Sequence, residues 1–218
     1  MEDPHAHGPV VEAGAPLAEA DMALVLLHGR GAPAESMLPL AEALVDGLEA
    51  KLAIRAPQAH GGAWYPQRFV EPREANQPWL DSALRQVDRV LDEIASHGIP
   101  SERTVLAGFS QGACLSLDAF ARSGRPLGAV IALAGGLIGD TLEPGAYADD
   151  LSRTPVFIGS ADPDPHIPTG RVEESAEALR AKGAEVDVRL YPGLGHTVNE
   201  DELTAARALL RHVAASGT

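Results

Sequence analysis

Short runs of apolar residues alternate along this chain with longer segments in which apolar residues recur every three or four positions. Strands covered on both faces produce the first pattern, and helices that cover a sheet produce the second. The alternation is typical of α/β proteins with a mostly parallel central sheet flanked by helices. We therefore expect a single domain of this class over the 218 residues, without an internal linker or repeat.

The apolar runs and the periodic segments give a first division of the chain. The predicted strands are residues 22–28, 52–56, 104–109, 129–134, 155–159 and 186–191. The predicted covering helices are residues 35–48, 77–96, 111–122, 171–182 and 202–214. Run 186–191 alternates apolar and polar residues, which places it near an edge of the sheet. Residues 1–20 are expected to be a frayed terminus, with an antiparallel edge strand at 10–12.

Charge and cysteine content argue against several functional classes. The formal net charge is -14, from 31 acidic and 17 basic residues, and such a chain repels nucleic-acid phosphates and anionic lipid surfaces. A single cysteine, Cys114, allows no intrachain disulfide and no multi-cysteine zinc site, and is expected to be a buried apolar residue. The chain has no apolar run of about 18 residues and no export-signal pattern. We expect a cytoplasmic protein without a nucleic-acid partner or a stable membrane anchor.

The sequence Gly108-Phe109-Ser110-Gln111-Gly112 joins a predicted strand to a predicted helix. A serine on such a sharp turn takes a strained backbone conformation, which the flanking glycines permit. Its Oγ then lies at a helix N-terminus, where backbone N–H groups favour developing negative charge. The pattern predicts that Ser110 is a catalytic nucleophile. The competing interpretation is an ordinary serine at a helix N-cap.

A serine that attacks a carbonyl needs N–H donors for the oxyanion that forms. One donor is predicted to be the backbone N–H of Gln111, the residue after the nucleophile. The other is predicted to be the backbone N–H of Arg30, in the turn His28-Gly29-Arg30-Gly31 that follows an apolar strand. The competing interpretations are a plain structural turn and a surface arginine.

Histidine is the usual base for a serine nucleophile, and the chain has 8 of them. In proteins with this type of serine turn the chain order is serine, acid, histidine, and the histidine follows the last strand. His196 meets both conditions, whereas His5 lies in the expected frayed terminus. Asp162 and Asp164 both follow the fifth predicted strand and both precede a proline, so the order of the chain does not separate them as the acid.

Aromatic residues cluster in a proline-broken loop between the second strand and the second helix: Trp64, Tyr65, Phe69 and Trp79. Such a cluster is either the wall of an apolar substrate site or a satellite core that fastens a long loop. We expect Trp64, Tyr65 and Phe69 to contact substrate. His166, in the stiff turn after the fifth strand, is expected at the rim of the same site.

The segments LLHGRG, APQAHGGAWYP, GFSQGA, TPVFIGSADPDPHIP and YPGLGHTVNED follow one another along the chain. In this order they resemble the phospholipase/carboxylesterase branch of the α/β-hydrolases, which includes bacterial carboxylesterases and acyl-protein thioesterases. The resemblance implies an α/β-hydrolase fold without a large cap domain, a Ser-Asp-His triad, and no metal or organic cofactor. It also implies that Arg30 and Gln111 occupy the oxyanion positions, that Asp164 is the triad acid, and that Asp162 is a supporting carboxylate.

The resulting hypothesis is a serine carboxylesterase that hydrolyses small to medium carboxylic esters through an acyl-enzyme on Ser110. An acyl thioesterase or a lysophospholipase with the same triad is the alternative, and a ligand-binding protein that keeps the fold without catalysis is less favoured. The HGRG loop resembles bacterial carboxylesterases, because thioesterase members usually carry leucine in place of Arg30. The expected partner is a small-molecule ester, and a homodimer is compatible with the sequence.

Overall fold

The described residues form a seven-stranded sheet with helices on both faces. A computed structural model describes residues 3–151 and 153–216. The strands are β1 (Val10–Gly14), β2 (Met22–Leu27), β3 (Leu52–Pro57), β4 (Thr104–Phe109), β5 (Ala129–Leu133), β6 (Pro155–Asp162) and β7 (Glu185–Pro192). The α-helices are α1 (Leu38–Val45), α2 (Trp79–Ser96), α3 (Gln111–Ser123), α4 (Thr169–Ala181) and α5 (Glu200–Ala215). Within the described residues, no helix combines the length and the apolar content that a membrane span requires.

The strand order is β1-β3-β2-β4-β5-β6-β7, with β1 and β7 at the two edges. β1 runs antiparallel to β3, and the other neighbouring pairs of described strands are parallel. The predicted mostly parallel α/β fold is confirmed. The predicted antiparallel edge strand is also confirmed and continues to Gly14. Because parallel strands carry their carboxyl ends to one edge of the sheet, the loops after β2, β4, β6 and β7 can meet there.

The sheet separates two apolar cores. One face packs against α2, α3 and α4, and the other packs against α1 and α5. The residues of β2 alternate between the two cores and are all fully buried: Ala23, Val25 and Leu27 on the first face, and Met22, Leu24 and Leu26 on the second. Burial on both faces explains why this strand is an unbroken apolar run in the sequence.

The first helical segment is shorter than its periodicity predicts. It begins as a 3-10 turn over Ala34–Met37 and continues as α1. Pro39 fits the first turn of α1, where a backbone N–H has no partner within the helix. Gly47 has φ 68°, a left-handed conformation that a helix does not continue through.

The amino-terminal segment is ordered against the rest of the molecule, so the expectation of a frayed terminus is wrong for residues 3–20; Met1 and Glu2 lie outside the described residues. His5 is fully buried, and its backbone N–H donates to Ser82 Oγ at 2.8 Å. Its Nδ1 accepts the His60 N–H at 3.1 Å, so that its Nε2 carries the proton donated to the Trp64 carbonyl at 3.0 Å. The segment therefore supports the loop that follows β3.

Candidate active site

Ser110 lies on a sharp turn between β4 and α3. Its backbone angles are φ 55° and ψ -117°, outside the regions that non-glycine residues favour. The flanking glycines are required by close contacts. A Cβ on Gly108 would lie 2.4 Å from the backbone of Gly112, and one on Gly112 would lie 2.0 Å from the Leu27 carbonyl oxygen. The strained strand-to-helix turn predicted from the sequence is confirmed.

The loops after β6 and β7 bring an aspartate and a histidine to this serine. His196 Nε2 lies 2.8 Å from Ser110 Oγ, and His196 Nδ1 lies 2.8 Å from Asp164 Oδ2. If the Ser110 hydroxyl donates a hydrogen bond to Nε2, the ring proton is on Nδ1. The Nδ1–H group then donates a hydrogen bond to the Asp164 carboxylate. The three side chains thus form one continuous chain of hydrogen bonds from carboxylate to hydroxyl.

The Asp164 side chain is fully buried and has further partners besides the histidine. Its Oδ1 accepts the backbone N–H of His166 at 2.7 Å and that of Ile167 at 3.0 Å. Burial raises the pKa of Asp164, but the hydrogen bonds from His196 and from these two N–H groups outweigh it and leave the pKa below its ordinary value. The carboxylate is therefore ionised at neutral pH and holds the histidine ring in one orientation.

Asp162 has a different environment from Asp164. Its Oδ1 accepts the hydroxyl of Thr169 at 2.9 Å, and its backbone carbonyl accepts the Gly193 N–H at 3.3 Å. These contacts join the turn after β6 to the start of α4 and to the loop after β7. Of the two aspartates that the sequence left open, the structure brings Asp164 to the histidine and leaves Asp162 in a supporting position.

The backbone N–H of Arg30 lies in the loop after β2, and that of Gln111 lies at the first residue of α3, directly after Ser110. The loop after β2 passes so close that a Cβ on Gly29 would lie 3.5 Å from Ser110 Cβ. Within the described residues neither N–H group has a hydrogen-bond acceptor. The arrangement supports the two oxyanion-hole donors that the sequence predicts.

The side chains of these two residues have partners that the sequence did not reveal. Gln111 Oε1 accepts the Trp64 N–H at 2.9 Å, and its Nε2 donates to the Tyr65 carbonyl at 2.8 Å. Arg30 Nη1 donates to the Pro66 carbonyl at 2.9 Å, and its Nη2 donates to the Gln67 carbonyl at 2.5 Å. Arg30 is exposed, as the surface interpretation expects, and its guanidinium joins the loop after β2 to the backbone at Pro66 and Gln67.

A cavity of about 890 Å³ adjoins Ser110 and His196. Tyr65, Phe69 and His166 line it, as the sequence predicts. The cavity is also lined by apolar residues that sequence reasoning missed: Met37, Leu40, Ala43, Val198 and Leu203. Leu40, Ala43 and Leu203 lie on α1 and α5, where their signal is indistinguishable in sequence from that of an ordinary core-facing helix. The cavity therefore has apolar walls on both sides of Ser110.

Trp64 is a correction to the predicted substrate contacts. The side chain is fully buried and does not line the cavity. Its Nε1 donates to the His28 carbonyl at 2.8 Å, and its ring lies against the His28 ring with centroids 4.9 Å apart. A buried indole needs an acceptor for its N–H, and here the acceptor is at the end of β2. Trp64 therefore supports the loop that carries Arg30 from the core side.

His166 and Cys114 also line the cavity. The His166 ring lies edge-on to the His196 ring with centroids 4.8 Å apart, so it is at the rim and not between the acid and the base. Cys114 is buried, as expected, and burial raises the pKa of its thiol to about 12. At neutral pH this thiol is protonated and is not a competing nucleophile.

The chain is similar in sequence and in structure to known proteins. A family model described as phospholipase/carboxylesterase matches residues 7–214. A solved phospholipase/carboxylesterase from Dyadobacter fermentans is 43% identical with a TM-score of 0.89, over 94% of this chain and 96% of that one. Acyl-protein thioesterase 1 from Gibberella zeae is 37% identical over 119 residues, which are 52% of this chain and 49% of that protein. The chain spans about half the length of the first curated relatives that it matches.

Proposed function

Because the chain belongs to the phospholipase/carboxylesterase family of α/β-hydrolases, we propose that it is a serine esterase that hydrolyses small to medium carboxylic esters. Membership of the family supports hydrolysis of esters or thioesters in general. The observation that carries the finer proposal is the unbroken chain of hydrogen bonds from Asp164 through His196 to Ser110 at the wall of an apolar cavity.

The first half of the proposed reaction acylates the serine. Ser110 Oγ attacks the carbonyl carbon of the ester while His196 Nε2 takes its proton. The carbonyl oxygen becomes an oxyanion and accepts the backbone N–H groups of Arg30 and Gln111. Asp164 stabilises the imidazolium through Nδ1. His196 then gives its proton to the alcohol oxygen as the carbon–oxygen bond breaks, and the alcohol leaves.

The second half regenerates the enzyme. A water molecule takes the place of the alcohol, and His196 removes its proton as the water oxygen attacks the acyl carbon. The same N–H pair donates hydrogen bonds to the second oxyanion. When this intermediate collapses, Ser110 Oγ is the leaving group and recovers a proton from His196. The net reaction consumes one ester and one water molecule and gives one carboxylic acid and one alcohol.

The size and the lining of the cavity favour an ester with apolar groups as the substrate. Its volume of about 890 Å³ lies within the range usual for small-molecule sites. Tyr65 and Phe69 line one part, and Met37, Leu40 and Leu203 line another. Aliphatic or aryl groups on either side of the ester would bury apolar surface against these walls.

An acyl thioester is the second candidate substrate. The observation in its favour is the 37% identity to a relative named acyl-protein thioesterase 1. The same serine, histidine and N–H pair would serve, with a thiol as the leaving group in place of an alcohol. The ratio of kcat/KM values for an acyl ester and the thioester of the same acyl group separates the two candidates.

The experiment that tests the proposal compares p-nitrophenyl esters of increasing acyl length with wild type and Ser110→Ala. We expect turnover by the wild type and a loss of at least about 10³-fold in kcat for the variant. Ser116→Ala is a matched control, because Ser116 lies in the same helix and donates to the Gly112 carbonyl outside the proposed triad. Hydrolysis that survives Ser110→Ala would overturn the proposal, and so would a wild type without turnover of any ester or thioester.

A further inference from the structure

Arg30 and Gln111 contribute more to this site than two backbone N–H groups. Their side chains hold one and the same stretch of chain, the 62–67 segment. Gln111 binds the N–H of Trp64 and the carbonyl of Tyr65, whereas Arg30 binds the carbonyls of the next two residues. The segment thus connects, through hydrogen bonds, two loops that are far apart in sequence and that flank the nucleophile.

The 62–67 segment is itself firmly held. The Gly62 carbonyl accepts the Gly31 N–H at 2.7 Å, next to Arg30 in the oxyanion loop. Trp64 is buried and donates to the carbonyl at the end of β2, as described above. The Gln67 N–H donates to Asn76 Oδ1 at 2.7 Å, and Asn76 is fully buried. A segment held at Gly62, at the buried Trp64 and at Gln67 can act as a rigid spacer between the groups bound to it.

An oxyanion hole depends on the separation of its donors. Each N–H must lie about 2.7 to 3.1 Å from the oxygen, and displacements of about 0.5 Å already weaken such a site. Here the two donors belong to different loops, one after β2 and one at the start of α3. We propose that the side chains of Arg30 and Gln111 are positioning residues, which set the separation of the two oxyanion-hole N–H groups through the 62–67 segment. This inference rests on the proposed function.

The 62–67 segment also lines the cavity. Tyr65, Pro66 and Gln67 form part of the wall that a bound ester would contact. A group that packs on this wall therefore touches the element that spaces the oxyanion donors. Binding energy at the wall can in this way favour the geometry needed for the transition state.

Substitution of the side chains leaves both backbone N–H groups in place, so any effect on the oxyanion hole must pass through the side chains. Arg30→Met removes two hydrogen bonds and one charge, and Gln111→Met removes two hydrogen bonds without changing charge. With a neutral p-nitrophenyl ester we expect each variant to lower kcat by about 10- to 100-fold. KM should change by less than about threefold. Affinity for an alkyl boronic acid, which forms a tetrahedral adduct on a serine, should fall in parallel with kcat.

Arg103→Met is the matched control. The Arg103 guanidinium also donates to backbone carbonyls, those of Asp21 at 2.6 Å and Ala214 at 3.5 Å, but it does not line the cavity. The control should lower the thermal midpoint while leaving kcat unchanged. Arg30→Lys distinguishes the effect of the two hydrogen bonds from the effect of the positive charge. Lysine keeps the charge but lacks the planar guanidinium that donates to two carbonyls at once. Full wild-type kcat in Arg30→Lys would overturn the proposal.

The double variant tests whether the two side chains act through one segment. If they do, Arg30→Met/Gln111→Met should lose about as much kcat as the more impaired single variant. A loss equal to the product of the two single losses would contradict a shared segment, and unchanged kcat in both single variants would contradict the proposal altogether. Should Arg30→Met fail to fold, Gln111→Met and Arg30→Lys carry the test. Failure of the proposed function is seen separately, as turnover that does not depend on Ser110.

Discussion

Hydrogen-bond partners distinguish two aspartates that are two residues apart. Asp164 is an acceptor for three donors, of which one is the His196 ring, and its pKa is held below its ordinary value although burial acts to raise it. Asp162 accepts the hydroxyl of Thr169. The two residues have the same chemistry and both precede a proline. Their different roles arise from the direction in which the turn points each carboxylate.

At the residue scale we predict that Asp164→Asn lowers kcat by about 10³- to 10⁴-fold. An amide at this position can donate to Nδ1 and so favours the tautomer that cannot accept the serine proton. Asp162→Asn is the matched variant, since the amide oxygen can still accept the Thr169 hydroxyl, and its kcat should stay within about tenfold of wild type. Steady-state kinetics on one ester suffices. Equal losses in the two variants would refute the assignment.

The loop that carries His196 leads directly into the start of α5. Asn199 caps this helix, accepting the Glu202 N–H at 2.9 Å while Glu202 Oε2 accepts the Asn199 N–H at 2.8 Å. This reciprocal pair closes the loop that carries His196. Glu202 is fully buried, and burial raises the pKa of its carboxyl despite the Asn199 hydrogen bond. The folded protein therefore favours the protonated form of Glu202 relative to the unfolded chain.

At the element scale this shift gives a pH dependence of stability. A group whose pKa is higher in the folded protein than in the unfolded chain contributes to the free energy of unfolding. This contribution is complete below the pKa of the unfolded chain, and it is lost as the pH rises through the pKa of the folded protein. Glu202→Gln keeps an oxygen acceptor for Asn199 and removes the titration. We expect the free energy of unfolding of this variant, relative to wild type, to increase from about pH 4 to about pH 8. Urea titrations at both pH values measure it, and a difference that does not change with pH would contradict the assignment.

The elements of the sheet could be predicted from sequence because their signals are local. Fully buried strands are unbroken apolar runs, and glycine at 108 is required by close contacts with Gly112 and Ala113 in the same turn. Glycine at 112 is required by the Leu27 carbonyl oxygen on β2, a contact that the local sequence does not show. The placement of Trp64 could not be predicted in this way, because its acceptor lies on His28, in another loop. The sequence also could not show that α1 lines the cavity. A helix face toward a cavity and a helix face toward the core have the same apolar periodicity.

At the scale of the whole molecule, the amino-terminal segment and the active site belong to one connected structure. His5 holds the loop after β3, that loop continues into the 62–67 segment, and the side chains of Arg30 and Gln111 bind this segment. Burial lowers the pKa of His5, which keeps its ring neutral and able to accept the His60 N–H. A residue distant in sequence from the triad thus contributes to the support of the site.

We predict that His5→Ala lowers the free energy of unfolding by about 1–3 kcal/mol, because it leaves the His60 N–H and the Trp64 carbonyl without their partner. His7→Ala is the matched control, since His7 is exposed, and should be within about 0.5 kcal/mol of wild type. Equilibrium denaturation in urea at neutral pH measures both. Equal stability of the two variants would show that the His5 contacts do not contribute.

Covalent labelling can show whether Ser110 forms the covalent intermediate. Wild type is treated with an activated organophosphate ester, which phosphorylates serines that have a base and an oxyanion hole, and the site is located by peptide mass spectrometry. We expect one phosphoryl group per chain, on Ser110, with turnover lost in proportion to labelling, and no labelling in Ser110→Ala. Labelling at another residue that accounts for the loss of turnover, or turnover that persists after Ser110 is fully labelled, would contradict this role of Ser110.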